Sequence, residues 1–321
     1  MAAAVSVQRA DIGSSEAPDL RRLRVRAKLR RHAIAYCFLL PNLVAFAVFF
    51  AWPIVALVRQ SLERGGVLGP ATFVGLSNWK AAAHDPTFLH SLVVTGKYCL
   101  MVVPPVIVLG FGVALIFSRS RGGGGSIARV VILLPVLAPI VAAAFIWQFV
   151  VQPQFGLASV TGRLVGFGSL DPLGSYSLAL PAVAALDIWR SFGFWSLVLL
   201  AALLDVPRDL YNAARLDGAS ALRRFWHVTL PGTRSTTLIV VVLSIVFTMQ
   251  AFDSVFILTG GGPSNTSETA VLYMYQSMFV NANPGYGAAL GLILVIVIIL
   301  LTGAVVALFR RGGRRAFGIA P

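Results

Sequence analysis

The chain has 321 residues, of which 57% are hydrophobic and 12% are charged, and it carries a formal net charge of +14. So much apolar surface exceeds what one soluble core can bury, which excludes an ordinary soluble domain and predicts a membrane protein. The basic residues flank apolar segments instead of lining one soluble face, so the positive charge does not indicate nucleic-acid binding.

Six apolar runs, each long enough to cross a bilayer as a helix, follow a polar N-terminal tail, residues 1–33. Their continuous Leu, Val, Ile and Ala content favours helices over the alternating strands of a barrel. The predicted fold class is therefore an all-α integral membrane protein with a transmembrane domain over residues 34–309 and a basic C-terminal tail, residues 310–321. The six predicted spans are residues 34–58, 92–118, 128–151, 178–204, 236–259 and 286–309.

The distribution of Lys and Arg predicts the orientation. With the N-terminus in the cytosol, 20 of the 26 basic residues lie in the tails and in the loops on the cytosolic side. The tail with its basic run Arg21–Arg31 is therefore predicted to be a cytosolic anchor, not a cleaved signal peptide, because the following apolar run has no convincing cleavage site. Both termini are predicted to be cytosolic. The remaining six basic residues are Arg59, Arg64, Lys80, Lys97, Arg163 and Arg190.

A polar segment, residues 205–234, separates the fourth and fifth spans and lies on the cytosolic side in this orientation. Pro207 predicts a helix start, Gly218 its end, and Ser220 the cap of a second helix that stops at Leu230–Pro231–Gly232. The first helix has a small apolar face formed by Leu210, Ala213 and Ala214. The second has a largely apolar stripe at helical spacing, formed by Leu222, Phe225, Trp226 and Thr229. The segment is predicted to dock onto another protein, and the alternative is an amphipathic helix on the lipid surface.

The residues of this segment resemble the EAA loop of the membrane subunits of ATP-binding-cassette importers. Asn212 stands where that family usually has glutamate, which keeps a hydrogen-bonding group but removes a charge. The resemblance implies that the segment couples the chain to an ATPase. The matching residues are Asn212, Ala213, Ala214, Asp217, Gly218, Ala219, Phe225, Leu230 and Pro231.

The resemblance extends to the stretches 39–62, 73–79, 199–220 and 259–279, which are similar to the carbohydrate-uptake permeases of the maltose and glycerol-3-phosphate type, the first of two permease subunits. It implies a bacterial inner-membrane location and a sugar substrate. The implied partners are a second, homologous permease, two ATP-binding subunits and an extracytoplasmic solute-binding protein. ATP and Mg are then bound by the partner ATPases and no cofactor by this chain, in agreement with the absence of a G-x-x-x-x-G-K-[ST] motif.

Polar side chains inside the predicted spans are candidates for the substrate path, because an ionisable group in hydrocarbon costs roughly 3 kcal/mol and needs a partner or a wet cavity. Helix rise places the polar groups of the fourth span roughly 14–18 Å below its outer end and those of the fifth roughly 9–14 Å below, at similar depth. Sugar hydroxyls need donors and acceptors, and sugar C–H faces stack on rings such as Trp147, Trp195 and Phe252. The candidate path residues are Asp187, Trp189, Arg190, Gln250, Asp253 and Gln148.

An alternative for this region is a structural ion pair between Asp187 and Arg190, with tryptophans that only anchor helices at the interface. The loop 260–269, rich in Gly, Ser, Asn and Thr, is predicted to face the outside, where it meets either a partner protein or solvent. The four histidines are scattered, so no metal site and no catalytic group are predicted.

The sequence favours a permease that performs no covalent chemistry and moves with its docked ATPase. Two other classes stay open. An ion-coupled secondary transporter would use Asp187 and Asp253 as ion sites, although no internal repeat is evident. An integral-membrane enzyme would need a nucleophile with a base, a carboxylate pair or a metal cluster.

Overall fold

The structure, a computed structural model, describes residues 36–65, 70–119, 124–166 and 168–316. The predicted N-terminal tail, residues 1–33, lies outside this part of the chain, as do residues 317–321. Within it the chain is mostly helical, with one small hairpin in which β1 (Glu63–Arg64) pairs antiparallel with β2 (Thr72–Phe73). The predicted helical class is confirmed.

The helices are named in chain order. They are α1 (Tyr36–Ser61), α2 (Ser77–His84), α3 (Pro86–Arg119), α4 (Gly124–Leu137), α5 (Ile140–Val150), α6 (Leu157–Leu164), α7 (Ala179–Asp205), α8 (Arg208–Leu216), α9 (Ala221–Gly232), α10 (Arg234–Met249), α11 (Asp253–Leu258), α12 (Ala270–Val280) and α13 (Pro284–Ala316).

Four of these helices are long and apolar enough to cross a membrane by themselves: α1, α3, α7 and α13. They correspond to the predicted spans 34–58, 92–118, 178–204 and 286–309. Pro104 and Pro105 lie inside α3 without ending it. The chain divides into two compact units, Met1–Arg59 and Gln60–Pro321, and most of α1 belongs to the first. The sites described below lie in the second.

The other two predicted spans are not single helices. Over 128–151 the chain forms α4 and α5, which meet at 95° because Pro139, lacking an N–H and disfavouring helix before it, interrupts the hydrogen-bond ladder. The prediction of one helix over 236–259 is also wrong, since α10 ends at Met249 and α11 begins at Asp253. At its other end α10 bends by 79° from α9, with Thr233 at the bend.

The core lies chiefly between α3 and α7. Tyr98 on α3 and Val183, Leu186 and Leu199 on α7 are fully buried and belong to one apolar cluster. Gly193 lets α7 approach α4 closely, because a Cβ there would lie 2.0 Å from the carbonyl oxygen of Ile132. This packing fixes α7, which carries Asp187 in its first half and the polar segment 205–234 at its end.

Candidate functional site

The segment 205–234 begins with α8, whose ends are formed by local signals. The helix starts directly after Pro207, carries Asp209 in its first turn and Arg215 in its last, and thus complements the helix dipole at both ends. It stops at Gly218, which has φ +71°, while the N–H of Ala219 donates to the carbonyl oxygen of Ala214 at 2.9 Å. This left-handed C-terminal turn confirms the predicted role of Gly218.

Three local contacts shape α9 and its junctions with α8 and with the end of α7. The Ser220 hydroxyl accepts the backbone N–H of Arg223 at 3.3 Å, as its predicted capping role requires. The Tyr211 and Thr229 hydroxyls lie 3.0 Å apart and join the two helices. Gly232 lies so close to Val206 that a Cβ would meet its side chain at 2.9 Å. The two helices therefore form one braced unit at the end of α7.

The predicted apolar stripe of α9 is divided between the inside and the outside of the molecule. Phe225 packs edge-on against Phe111 of α3 at 5.5 Å between ring centroids, and Thr229 is buried. Leu222 and Trp226 are 67% and 55% exposed. The helix includes the predicted stop, Leu230–Pro231–Gly232, and ends at Gly232.

The predicted coupling residues of this segment lie mostly at its surface. Ala214, Ala219, Phe225 and Leu230 are half-buried, and the others are exposed: Asn212, Ala213, Asp217, Gly218 and Pro231. Nothing in α8 is buried, and Leu210 and Leu216 are 52% and 89% exposed. The unit is thus anchored from within and presents uncovered apolar side chains outward.

Asp187 joins three helices. Its Oδ2 accepts the hydroxyls of Tyr98 on α3 at 2.5 Å and of Ser254 on α11 at 3.0 Å. The bond to Ser254 brings the polar parts of the fourth and fifth predicted spans together, as their similar depth predicts. The alternative of an ion pair with Arg190 is wrong: the structure forms none between these two residues, and the Arg190 Nε is buried without a hydrogen-bond partner among the described residues.

Gln148 and the nearby tryptophans make structural contacts. The Gln148 amide donates to the carbonyl oxygen of Ile257 at 2.9 Å and ties α5 to α11. The Trp147 indole donates to the carbonyl oxygen of Ala182 at 3.1 Å and stacks on Trp189 at 5.7 Å, leaving Trp189 37% exposed. Trp195, predicted as a ring near the path, is instead 5% exposed inside the core.

The non-helical break between α10 and α11, residues 250–252, exposes polar side chains beside a cluster of aromatic rings. Gln250 ends α10, Asp253 starts α11, and both side chains are exposed. The aromatic group is formed by Phe252, Phe256, Tyr275 and Phe279, with successive centroids 5.0–5.7 Å apart. Only Phe252 was predicted here; the i, i+4 spacing of Phe252 with Phe256, and of Tyr275 with Phe279, is the signal that identifies the others.

The loop 260–269 is folded inward at its second half. Ser264 and Asn265 are exposed and have positive φ, whereas Ser267, Glu268 and Thr269 are at most 3% exposed. The Thr269 hydroxyl donates to the carbonyl oxygen of Ala251 at 3.1 Å. The tip at Ser264 and Asn265 is therefore available to a partner or to solvent, whereas residues 267–269 are not.

A second carboxylate, Asp85, connects the start of α3 to α12 and α13 through hydrogen bonds. Its Oδ2 accepts the hydroxyls of Tyr273 and Tyr286, each at 2.5 Å, and its Oδ1 accepts the N–H groups of Thr87 and Phe88. Burial raises the pKa of Asp85, but these four hydrogen bonds lower it more, so the pKa lies below its usual value. Burial, together with the charge of Asp85, raises the pKa of Glu268.

Residues 106–314 match the family of binding-protein-dependent transport system inner membrane components. The chain belongs to this family. The match covers α7, the braced unit of α8 and α9, and the α10–α11 break. In the described residues no group of three or more His, Cys, Asp or Glu has the arrangement of a metal site.

Curated relatives cover most of the chain. It is 32% identical over 84% of its length to the sn-glycerol-3-phosphate transport system permease protein UgpA of Brucella abortus, covering 92% of that protein. It is 30% identical over 87% of its length to the probable ABC transporter permease protein YurN of Bacillus subtilis, covering 97% of that protein. The trehalose/maltose transport system permease protein MalF of Thermococcus litoralis is 29% identical over 87% of this chain and 95% of its own length. These relatives are transport permeases, so the chain is a transport component and not an enzyme.

Solved structures show the same fold. A chain of a bacterial ABC transporter that imports the acidic polysaccharide alginate superposes with a TM-score of 0.76 at 21% identity, covering 90% of this chain and 99% of that one. A chain of the alginate transporter in complex with its pentasaccharide-bound periplasmic protein gives 0.78 at 20% identity, covering 90% and 98%. This chain thus shares the overall fold of those transporter chains.

Proposed function

We propose that this chain is the membrane-spanning permease of an ATP-driven, binding-protein-dependent sugar importer in a bacterial inner membrane. The observation that carries the proposal is the braced unit of α8 and α9, which matches the EAA pattern, is held rigidly from inside and exposes Leu210, Leu216 and Trp226. Apolar side chains left uncovered on a rigid unit are suited to docking.

The proposed arrangement has six spans, with each bent helix pair contributing to one of them. The transmembrane permease domain covers residues 34–309 and contains the coupling loop 205–234, and the tails 1–33 and 310–321 are cytosolic. The excess of Lys and Arg in the loops assigned to the cytosol supports this orientation.

In the assembly we propose, the chain pairs with a second permease to form half of the translocation path, two ATPase subunits bind below, and a solute-binding protein binds outside. ATP and Mg are bound by the ATPase subunits. Closure of the ATPase dimer moves the braced unit, which continues directly into α7 and, through the bend at Thr233, into α10. The spans then rearrange between inward-open and outward-open states.

The substrate path of this half is proposed to run along the exposed break between α10 and α11. Gln250 and Asp253 offer hydrogen-bonding groups to sugar hydroxyls, and the aromatic group beside them offers ring faces to sugar C–H groups. Trp189 is exposed enough to contribute a third ring. Asp187, Arg190 and Gln148 support the path, since Asp187 and Gln148 already bond to α11.

The sugar assignment is supported by the relatives, which transport glycerol-3-phosphate and trehalose or maltose. It is also supported by the chemistry of the break, where a carboxylate, an amide and several rings occur together. The proposal assigns the class of substrate, a compound that carries several hydroxyls.

The proposal is tested by cross-linking in the assembled transporter. Ala214→Cys, at a half-buried position of α8, should cross-link to the ATPase subunit and should be labelled only from the cytosol. The matched control is Ser264→Cys, at the exposed tip of the loop proposed to lie outside, which should cross-link to no ATPase and be labelled only from outside. Labelling of Ala214→Cys from outside would overturn the proposal.

The ion-coupled alternative is distinguished by uptake into vesicles. The proposal expects uptake to stop when ATP is depleted and to survive an ionophore that collapses ion gradients. The opposite result would assign transport to an ion gradient and remove the coupling role of α8 and α9.

A further inference from the structure

A large cavity lies between α3 and the braced unit of α8 and α9. Its volume is about 1350 Å³, and α4, α7, α10 and α13 contribute to its walls. It lies on the inner side of α8, whose lining residues Arg208, Tyr211, Asn212 and Arg215 share one helix face. The exposed apolar residues Leu210 and Leu216 of α8 lie off that face and do not line the cavity, whereas the exposed Trp226 of α9 does.

The cavity is apolar at one end and basic at the other. Its apolar end is formed by Ile107, Val108, Phe111 and Val241, which belong to helices that enter the membrane. Ile107 lies 11 residues before Ser118, the end of the α3 span, so this wall reaches about 16 Å along the helix. Val108 is 69% exposed, so the cavity is open at its apolar end.

Four arginines line the basic end: Arg129, Arg208, Arg215 and Arg224. Among the described residues no Asp or Glu lines the cavity, so none of the four arginines has a carboxylate partner within its lining. The acidic residues of the same segment, Asp205, Asp209 and Asp217, are exposed and lie away from the lining. The charge at this end is therefore positive and unbalanced.

Arg129 of α4 has a buried donor without an acceptor. Its Nη2 reaches the carbonyl oxygen of Phe117 at 3.5 Å and its guanidinium lies 5.9 Å from the Phe117 ring centroid. Its Nε is buried and has no hydrogen-bond partner among the described residues. A buried guanidinium donor favours an anionic acceptor.

We propose that this cavity binds an anionic phospholipid, with its phosphate among the four arginines and an acyl chain along the apolar wall of α3. A cavity with one apolar end and one basic end fits an amphiphile with an anionic headgroup. A soluble anion would fit less well, because it would leave the apolar end empty. Basic pockets between membrane helices at the membrane surface are known to take anionic lipid headgroups. The lipid bridges α3 and α4 to α8 and α9, and thus stiffens the unit proposed to couple to the ATPase.

The test compares lipids that differ only in headgroup charge. The complete transporter is reconstituted in nanodiscs of phosphatidylcholine with or without phosphatidylglycerol of the same chains, and retained lipid is counted by native mass spectrometry. We expect phosphatidylglycerol to be retained selectively, and an excess of inorganic phosphate not to displace it. Equal retention of both lipids, or displacement by phosphate, would overturn the proposal.

Three variants separate the site from the general membrane surface. Arg129→Gln with Arg215→Gln removes two charged donors and should weaken retention roughly tenfold to a hundredfold. Val108→Trp should weaken retention with no change in charge, since it fills the apolar end. Arg310→Gln, an exposed arginine at the end of the α13 span outside the cavity, is the matched control and should retain lipid normally. An equal loss of lipid retention in this control would mean that the lipid is held by general attraction to surface arginines, and would overturn the proposed site.

The unmodified transporter from the same preparations is also transferred from nanodiscs to vesicles, and its ATP-dependent uptake is measured there. Normal uptake with no selective lipid retention would overturn only the lipid site and leave the permease assignment standing. Selective retention in a preparation whose α8 cannot be cross-linked to an ATPase would support the lipid site and count against the proposed coupling.

Discussion

The braced unit of α8 and α9 and the region around the α10–α11 break are built in opposite ways. The unit is shaped by local contacts, such as the Gly218 turn, the Ser220 cap and the Tyr211–Thr229 pair, all within 30 residues of sequence. The break is held by contacts between residues far apart in the chain, such as Tyr98 with Asp187 and Gln148 with Ile257. The proposed coupling therefore depends on local geometry, and the proposed path depends on the packing of the whole bundle.

Replacing Gly218 with Ile tests the local geometry and should have the largest effect. Its φ of +71° is strained for a β-branched residue, while a Cβ there meets nothing within 4 Å, so the whole effect is on the backbone. We expect loss of ATP-driven uptake, measured in vesicles, with the chain still inserted and assembled.

The control is Gly303→Ile in α13, where a Cβ also meets nothing within 4 Å but φ is helical. It should transport normally. Equal loss in both variants, or normal uptake in Gly218→Ile, would remove the turn from the coupling mechanism.

Replacing Asp253 with Ala tests the exposed part of the break. Because the side chain is exposed and starts α11, its loss should change the KM of uptake severalfold and leave assembly of the complex intact. Kinetics that match the unmodified protein would leave Asp253 a helix-end residue with no role in transport.

Replacing Asp187 with Ala tests the buried part of the same region. It leaves the hydroxyls of Tyr98 and Ser254 without their acceptor, and each unsatisfied buried group costs about 1–3 kcal/mol. We expect a lower thermal unfolding temperature of the purified complex, with partial recovery in Asp187→Asn, whose amide oxygen still accepts. An unchanged unfolding temperature would contradict the structural role of this carboxylate.

The Asp85 contacts should give the smallest effect, a pH dependence of stability. The pKa of Asp85 is lowered in the folded chain, so its contribution is complete above the unfolded pKa and is lost as pH falls through the folded value. Glu268 has a raised pKa and acts in the opposite sense, losing its contribution as pH rises through its folded value. The check is to measure the unfolding temperature as the pH is lowered. Asp85→Asn should remove the fall in unfolding temperature that protonation of Asp85 causes, and Glu268→Gln should leave that fall unchanged.

Sequence reasoning succeeded where one residue type determines a local conformation. Gly218 ends α8 and Ser220 caps α9 as predicted, because these roles depend on a glycine at positive φ and a hydroxyl at a helix start. It failed at Gln250, where the chain leaves the helix inside a continuous apolar run. Hydropathy records only that such a run can be buried, so it cannot locate a break that other helices hold open.

The helical class, four of the spans and the helix ends beside Gly218 and Ser220 could thus be derived from the amino-acid sequence alone, since each is a property of neighbouring residues. Tertiary structure decided that Asp187 bonds to Tyr98 and Ser254 instead of Arg190, and that Trp195 is buried while Trp189 is exposed. It also decided that Glu268 turns inward and that four arginines line one cavity. The physical reason is that burial and hydrogen-bond partners depend on which helices pack together. The residues next to a side chain in the sequence do not indicate which distant helix it will contact.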